Sequence, residues 1–485
     1  MEVLGQSKQA NLSRQRFQLK RKVLQFGEGN FLRAFVDWMF HEMNHKADFN
    51  AAVTVIQPIK HGLADQLKAQ DGLYNVYLNG FQNGEFVTSR DLIDVITESI
   101  DPYENFNSYL NQATNPDLKF IVSNTTEAGI QFDPKDSFGD RPASSFPGKL
   151  TQLFFKRFKE YPNADKLFIL PCELIDRNGL KLRDTVLQYV DHWRLGLEFK
   201  NWLSKKALFY NTLVDRIVPG YPKERDEKYW KELGYKDHLL VEGEIFYLWV
   251  IEGSDEIKKA LPTVKSGLNV IFTNDLDYYR TRKVRILNGA HTCMVPVAYL
   301  YGLDFVQESV ENELIGSFIR QAIFNEIIPS LDGERAELQQ YANEVIDRFK
   351  NPSIRHALIS IALNSFSKFK TRVMPSILSY YKKEGKLPRL LTTALAALIC
   401  FYKGRRFDED IELMDEPQIL KLMESLWSTL DDSQEGIEKL VTSVLGNEEL
   451  WGQDLTEIPG FNELVSSKVY NIQRQGMGKV VQSLF

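Results

Sequence analysis

A lysine, an asparagine and a histidine stand close together in the segment Tyr278-Tyr279-Arg280-Thr281-Arg282-Lys283-Val284-Arg285-Ile286-Leu287-Asn288-Gly289-Ala290-His291. On a helix advancing about 100° per residue, Lys283, Asn288 and His291 fall near 0°, about 140° and about 80°, one broad polar face. Three hydrogen-bonding groups can therefore converge on one substrate. Spacing alone favours a solvated or capping set on a helix that links two domains.

A second constellation lies near the N-terminus. Val23-Leu24-Gln25-Phe26 reads as an apolar strand that runs into Gly27-Glu28-Gly29-Asn30-Phe31-Leu32-Arg33-Ala34 and then an amphipathic helix. This is the setting of a dinucleotide site: Gly27 permits a tight turn, Gly29 lets backbone approach a pyrophosphate, and the helix start offers amide donors. The third glycine of the usual fingerprint is missing, and a plain turn is the alternative. The next strand, Ala52-Val53-Thr54-Val55-Ile56, ends in Gln57 rather than in the acid that binds the adenosine ribose of NAD, with Lys60 and His61 just beyond. Glutamine can accept from a ribose hydroxyl and Lys60 can meet a phosphate, so this position leaves NAD and NADP open.

His41-Glu42-Met43-Asn44-His45 matches HExxH, in which two histidines one helical turn apart hold zinc. Asp48 and Ala51 stand where the extended motif needs Gly and His, and no glutamate occurs between Glu42 and Glu85. The expectation is an ordinary helix surface at the far end of the helix after the glycine turn, with no metal. A zinc hydrolase built on His41 and His45 is the competing reading.

The elements that must position these groups change character along the chain. Short apolar runs at 22–26, 52–57, 118–123, 166–170 and 268–273 read as buried strands between helical segments, an α/β pattern. The Pro-, Gly-, Ser- and Asp-rich stretch 130–150 reads as a surface loop. Beyond about residue 274, the segments 278–303, 311–328, 334–349, 354–369 and 387–401 all read as helices. We expect a Rossmann-type domain over 1–276 and a mostly α-helical domain over 277–485. The length of 485 residues favours two cores over one.

At 43% hydrophobic and 26% charged residues the chain is an ordinary globular one, not a disordered one. Its net charge of −6, with scattered lysines and arginines, advertises neither a nucleic-acid nor an anionic-membrane partner. Three cysteines, Cys172, Cys293 and Cys400, offer neither a disulfide framework nor a structural zinc spacing. Residues 1–18 lack the apolar core of a signal peptide, and the run 391–402 is too short to span a bilayer. A cytoplasmic location is expected; the oligomeric state is not legible.

Lys-x4-Asn-x2-His after GxGxFxRA resembles the signature of the polyol-specific long-chain dehydrogenases, which include mannitol dehydrogenases and hexuronate reductases. Two further landmarks are similar to that family's: Val214-Asp215-Arg216-Ile217-Val218-Pro219 and Trp249-Val250-Ile251-Glu252. Within the family, GEGNFLRAF, VSNTTEAGI (122–130), PCELIDRNG (171–179) and NSFSKFKTRVMP (364–375) look most like the hexuronate reductases.

The resemblance implies NADH-dependent reduction of a keto sugar acid, tagaturonate to altronate, with fructuronate reduction or mannitol oxidation as alternatives and a non-catalytic NAD(H) sensor as a more distant one. It implies Lys283 as general acid/base, Asn288 as oxyanion stabiliser and His291 as substrate orienter, with no metal. The cofactor-binding set it implies is Phe26, Gly27, Gly29, Asn30, Phe31, Gln57, Asn124 and Glu127. For the substrate it implies Asp215, Arg280, Lys368 and Arg372; a guanidinium fork suits a uronate carboxylate, although an arginine on a helix can equally be solvated and Asp215 can equally pair with Arg216. A lysine base near neutrality needs burial or neighbouring cations, for which Arg280, Arg282 and Arg285 are candidates. Leu174 stands where mannitol enzymes carry an oxyanion-site asparagine, and Asn178 is the candidate replacement.

Overall fold

The computed structural model describes residues 1–7, 19–82, 84–125, 127–429 and 431–485, with the side chains of 127 and 128 outside the description. The chain divides into two compact units, Met1–Asn79 with Phe86–Leu276, and Gly80–Glu85 with Asp277–Phe485.

The first unit is built on a six-stranded parallel sheet. Its strands are β1 (Lys20–Phe26), β2 (Ala51–Ile56), β5 (Ile96–Ile100), β6 (Phe120–Ser123), β7 (Leu167–Pro171) and β8 (Ala207–Phe209), in the spatial order β5-β2-β1-β6-β7-β8. Counted within the sheet, that order is the doubly wound 3-2-1-4-5-6, with its switch point between β1 and β6. The strands are apolar on both faces because both are covered. Val23, Val53, Phe120 and Val122 face a core that includes Met39, Phe40 and Met43 of helix α1 (Val36–Ala47). Leu24, Phe26, Ile56 and Ile121 face Leu150, Leu153 and Phe154 of α2 (Phe146–Glu160) and Leu182 and Val186 of α3 (Asn178–His192).

Two strands that sequence reading passed over, β3 (Tyr74–Gln82) and β4 (Glu85–Ile93), lie between β2 and β5 and form a second sheet with β10 (Val241–Glu244). The stretch expected as strand at 268–273 supplies β12 (Val270–Thr273), which joins β11 (Leu248–Glu252) and β9 (Asn211–Asp215) rather than the main sheet. The expected loop 130–150 ends earlier than its composition suggested. Ser145 accepts the Gly148 N–H and Pro147 occupies the first turn, so α2 begins at Phe146.

The second unit is helical. The expected helix over 278–303 is three segments in one rod: α4 (Leu276–Arg282), a π turn (Lys283–Asn288) and α5 (Gly289–Tyr301). The expected helix over 354–369 is broken, because Asn364 adopts a left-handed φ of 53° before α6 (Ser365–Arg372). Helix α7 (Arg389–Phe401) is buried along nearly its whole length. Its first free amides, on Leu390 and Leu391, are taken by the buried Glu326 carboxylate at 2.8–3.0 Å, a negative charge at the positive end of the helix dipole. Among the described residues, no helix is long and apolar enough to cross a membrane. All three cysteines are buried and unpaired.

Candidate active site

In the first unit, the carboxyl ends of β1 and β6 meet at the switch point. The Asn124 amide donates to the Phe26 carbonyl at 3.2 Å, and the Gly27 amide to the Ile56 carbonyl at 3.2 Å. Gly27 has φ +123°, and a Cβ there would stand 3.1 Å from the Asn124 carbonyl oxygen and 3.3 Å from Leu32 Cδ1. Only glycine suits that turn. Gly29 caps the short helix Asn30–Arg33, and a Cβ on it would meet nothing within 4 Å. Backbone is therefore open to a close-approaching group, as a pyrophosphate site requires. The amphipathic helix expected here divides into Asn30–Arg33 and α1.

Phe26 is fully buried against Tyr109 and Phe146, so only its backbone faces the crevice. Asn30 Oδ1 accepts from Arg33 Nη2 at 2.6 Å, Phe31 stacks on Phe35, and Asn124 Nδ2 donates to the Cys172 carbonyl at 2.7 Å. The Glu127 side chain lies outside the described residues.

Gln57 is buried, donates to Asp101 Oδ2 at 2.9 Å and to the Lys60 carbonyl, and accepts the Ala64 amide at 3.3 Å. These bonds hold it at the edge of a groove that it helps to line. The groove beside it, about 580 Å³, is lined by Glu28, Gly29, Lys60, His61, Asp101 and Glu104 together with Gln57. Glu28 is buried, with Oε1 accepting the Leu63 amide at 3.2 Å and Oε2 without a partner among the described residues. Burial raises its pKa. Sequence reading missed Glu28 and Asp101, the first because it fills the variable position of GxG, the second because β5 was not recognised.

Asn178 is corrected by the structure. Its Nδ2 donates to the carbonyls of Pro171, Glu173 and Thr212 at 2.9–3.1 Å, and its Oδ1 accepts the amides of Gly179 and Thr212. Fully engaged and buried, it ties β7 to β9 and has no donor left for an oxyanion. Leu174 is 67% exposed. Asp215 is buried at the end of β9, whereas Arg216 donates to the carbonyls of Ala34 and Phe246 and lies over Trp38 and Tyr247.

His41 is buried at 8% exposure, so the surface expectation holds for His45 and not for it. Its Nδ1 lies 2.9 Å from Asp94 Oδ1, and its ring is 4.1 Å from that of His45. Glu42, the residue that would serve a peptidase as base, is paired with Lys46.

In the second unit, the π turn decides the geometry of the catalytic candidates. Its bonds run from residue i to i+5, and the Gly289 amide reaches back to the Val284 carbonyl. Lys283 and Asn288, five apart, are thereby one π turn apart instead of about 140° apart on a regular helix. Asn288 and Lys283 are partly exposed, and His291, in the first turn of α5, is buried at 9%. The His291 ring packs on Phe349 at 4.2 Å and on His356 at 5.4 Å. Burial first, then the positive fields of His356, Arg348, Arg372 and Lys368, hold its pKa well below the usual histidine value. His291 is neutral at pH 7.

Gly289 brings α6 against this turn: a Cβ there would lie 3.2 Å from the Arg372 carbonyl oxygen. Burial lowers the pKa of Arg372, and burial with the Arg372 charge lowers that of Lys368, whose Nζ donates to the Ile361 carbonyl at 2.8 Å. Arg280, offered as a substrate residue, pairs with Asp277 at 3.1 Å within the same helix. Arg282 pairs with Glu337 and lies over Tyr341, while Arg285 donates to Ser376 Oγ at 2.9 Å. His356 and Arg348 were missed: neither sits in a motif, and only the fold carries them to His291.

Residues 21–265 match the family model described as the mannitol dehydrogenase Rossmann domain, and residues 275–473 the mannitol dehydrogenase C-terminal domain. An altronate oxidoreductase of Bacteroides thetaiotaomicron is 46% identical over 473 residues, covering 96% of this chain and 97% of that one. One of Bacillus subtilis is 44% identical, covering 96% and 95%. Among solved structures, a D-sorbitol dehydrogenase in substrate-free form superposes with a TM-score of 0.81 at 19% identity, over 96% of each chain. The Pseudomonas fluorescens mannitol 2-dehydrogenase complex with NAD and D-mannitol gives 0.68 at 19%, over 100% of this chain and 96% of that one. These two support the fold.

Proposed function

Since the chain belongs to the mannitol dehydrogenase family and is an NAD-dependent oxidoreductase, we propose that it interconverts tagaturonate and altronate with NAD(H), using a lysine and no metal for the proton transfer. The observation that carries the substrate class is the set of groups around His291. Three charged groups that weigh on it, Arg348, Arg372 and Lys368, act with the same positive sign, while burial lowers the pKa of His356 and keeps it from adding a charge near neutrality. A neutral polyol gains little from such a field, whereas a sugar-acid carboxylate is attracted by it and can take a guanidinium fork. The near-full-length likeness to altronate oxidoreductases points the same way.

The cofactor's residues are those of the β1–β6 crevice: the Gly27 turn, the open backbone at Gly29, Asn30, Phe31 and Asn124. NADH is favoured over NADPH because the acidic residues Glu28, Asp65, Asp101 and Glu104 outnumber Lys60 in the groove that Gln57 also lines, and carboxylates oppose a 2′-phosphate while accepting ribose hydroxyls. When bound, the nicotinamide supplies or receives the hydride. Lys283 gives a proton to the ketone oxygen during reduction and takes it back from the alcohol during oxidation. Asn288, one π turn along, donates its amide to the oxygen as negative charge grows there, which stabilises the transition state more than the ground state. Neutral His291 is fixed by Phe349 and His356 and orients the substrate through a hydrogen bond.

The test is the initial rate of NADH oxidation, and separately of NADPH oxidation, with tagaturonate, fructuronate and fructose, with and without chelator. Fast turnover of tagaturonate with NADH, unaffected by chelator and nearly abolished in Lys283→Ala, supports the proposal. A preference for fructose refutes the carboxylate argument, and near-wild-type turnover in Lys283→Ala refutes the lysine mechanism.

A further inference from the structure

The HExxH segment plays no part in the proposed reaction, and the fold supplies what the sequence lacked there. His41 and His45 project from α1 one turn apart, and Asp94, in the connection between β4 and β5, meets them. One ligand atom from each of the three lies within 4.8 Å of the others. The His41 and Asp94 atoms are already 2.9 Å apart. Tetrahedral zinc with ligands at about 2.0–2.1 Å needs donor atoms roughly 3.3 Å from one another, so the widest pair must close by at most about 1.5 Å. His45 is the exposed member.

We propose that His41, His45 and Asp94 bind one divalent transition-metal ion of the zinc class, at a site that joins α1 to the β4–β5 connection and keeps one position open to water. Two imidazoles and one carboxylate favour zinc, cobalt or nickel over magnesium or calcium, which need more oxygen donors. The ion takes the place of the hydrogen now shared by His41 Nδ1 and Asp94 Oδ1, with the imidazole proton carried on Nε2. Water completes the shell on the exposed His45 side. Glu42 is not a ligand, because it is held by Lys46; hydrolytic chemistry of the HExxH kind is therefore not part of the proposal.

The test is titration of the full-length, chelator-stripped protein with cobalt(II), followed by visible absorption, then competition with zinc and a thermal melt with and without zinc. Expected are one saturable cobalt per chain, a tetrahedral-type spectrum displaced by zinc, and a melting temperature raised by a few degrees. His45→Ala, at an exposed position, should keep the metal-free melting temperature and lose more than about tenfold in affinity, since even outer partners of metal ligands cost that much. Asp94→Asn should weaken binding similarly, and Glu42→Gln should leave it unchanged. Absence of saturable binding in the wild type, equal affinity in His45→Ala, or a tenfold loss in Glu42→Gln overturns the assignment.

Discussion

If the positive groups around His291 exist to hold a carboxylate, removing one should discriminate between acidic and neutral substrates. Arg372 is the clearest choice. It ends α6, its charge bears on both His291 and Lys368, and the part of it that touches Gly289 is the backbone carbonyl, which any residue retains. Arg372→Ala therefore removes the guanidinium without removing that contact. A hydrogen bond to a charged group contributes about 1.5–3 kcal/mol. At about 1.4 kcal/mol per factor of ten, kcat/KM for tagaturonate should fall roughly 10- to 150-fold. The same ratio for fructose, which presents no carboxylate, should change less than about threefold. Arg372→Lys keeps charge but loses the fork and should recover only part of the loss. The assay is steady-state NADH oxidation with both ketoses on each variant, with melting temperatures to confirm folding. Equal losses on both substrates would show that Arg372 supports packing, and no loss on either would show that it does not meet substrate; each result refutes the reasoning.

Other consequences are as accessible. Lys283→Ala should lower kcat by about 10²- to 10⁴-fold, the usual contribution of a general acid, while NADH binding measured by fluorescence stays near wild type. Glu28→Gln should weaken NADH and raise the NADPH-to-NADH ratio of kcat/KM about tenfold, whereas a ratio that responds to Gln57→Ala but not to Glu28→Gln would move the ribose contact back to Gln57. His291 has a folded-state pKa below its unfolded value of about 6.5, so the unfolded chain binds more protons and the stability tied to its neutral form is lost as pH falls below about 6.5. His291→Asn should flatten that part of the melting-temperature profile; an unchanged slope would assign it elsewhere. Asn178→Ala should destabilise the fold by about 2–4 kcal/mol through the buried carbonyls and amides it strands, read by urea unfolding, with KM for tagaturonate unchanged.

The strands at the centre of the main sheet were legible because both faces are buried, which leaves runs such as Ala51–Ile56 without a polar residue except Thr54. β3 and β4 were not, since Asn75, Asn79, Arg90 and Asp91 interrupt the apolar pattern and β4 is largely exposed. The same blindness hid Asp101, which follows an unrecognised strand, and Asp94, which the connection from β4 delivers to His41 across 53 residues of sequence. Local motifs located the glycine turn and the two histidines. They could not say that Gln57 bonds to Asp101 or that Asn178 bonds to Pro171 and Thr212, because those partners come from the residue after β5 and from β7 and β9.

The Lys283–Asn288 pair shows why even a well-placed motif needs the fold. Regular helical spacing sets the two about 140° apart, at opposite edges of one broad face. The chain instead inserts a π turn over the same six residues, Lys283–Asn288, and returns to regular helix at Gly289. No residue in Lys283-Val284-Arg285-Ile286-Leu287-Asn288 forces that geometry on its own. What stands beside it is tertiary: Arg285 is held by Ser376, Arg282 by Glu337, and Gly289 admits the α6 carbonyl. A Gly289→Ala variant places a Cβ 3.2 Å from that carbonyl and must shift α6 or the turn by a few tenths of an ångström. If the turn sets the alignment of lysine and amide, the variant should lose kcat by about tenfold or more with its melting temperature nearly preserved, because a small misplacement costs rate far more than stability. A variant that melts early yet turns over normally once folded would show that Gly289 serves packing alone.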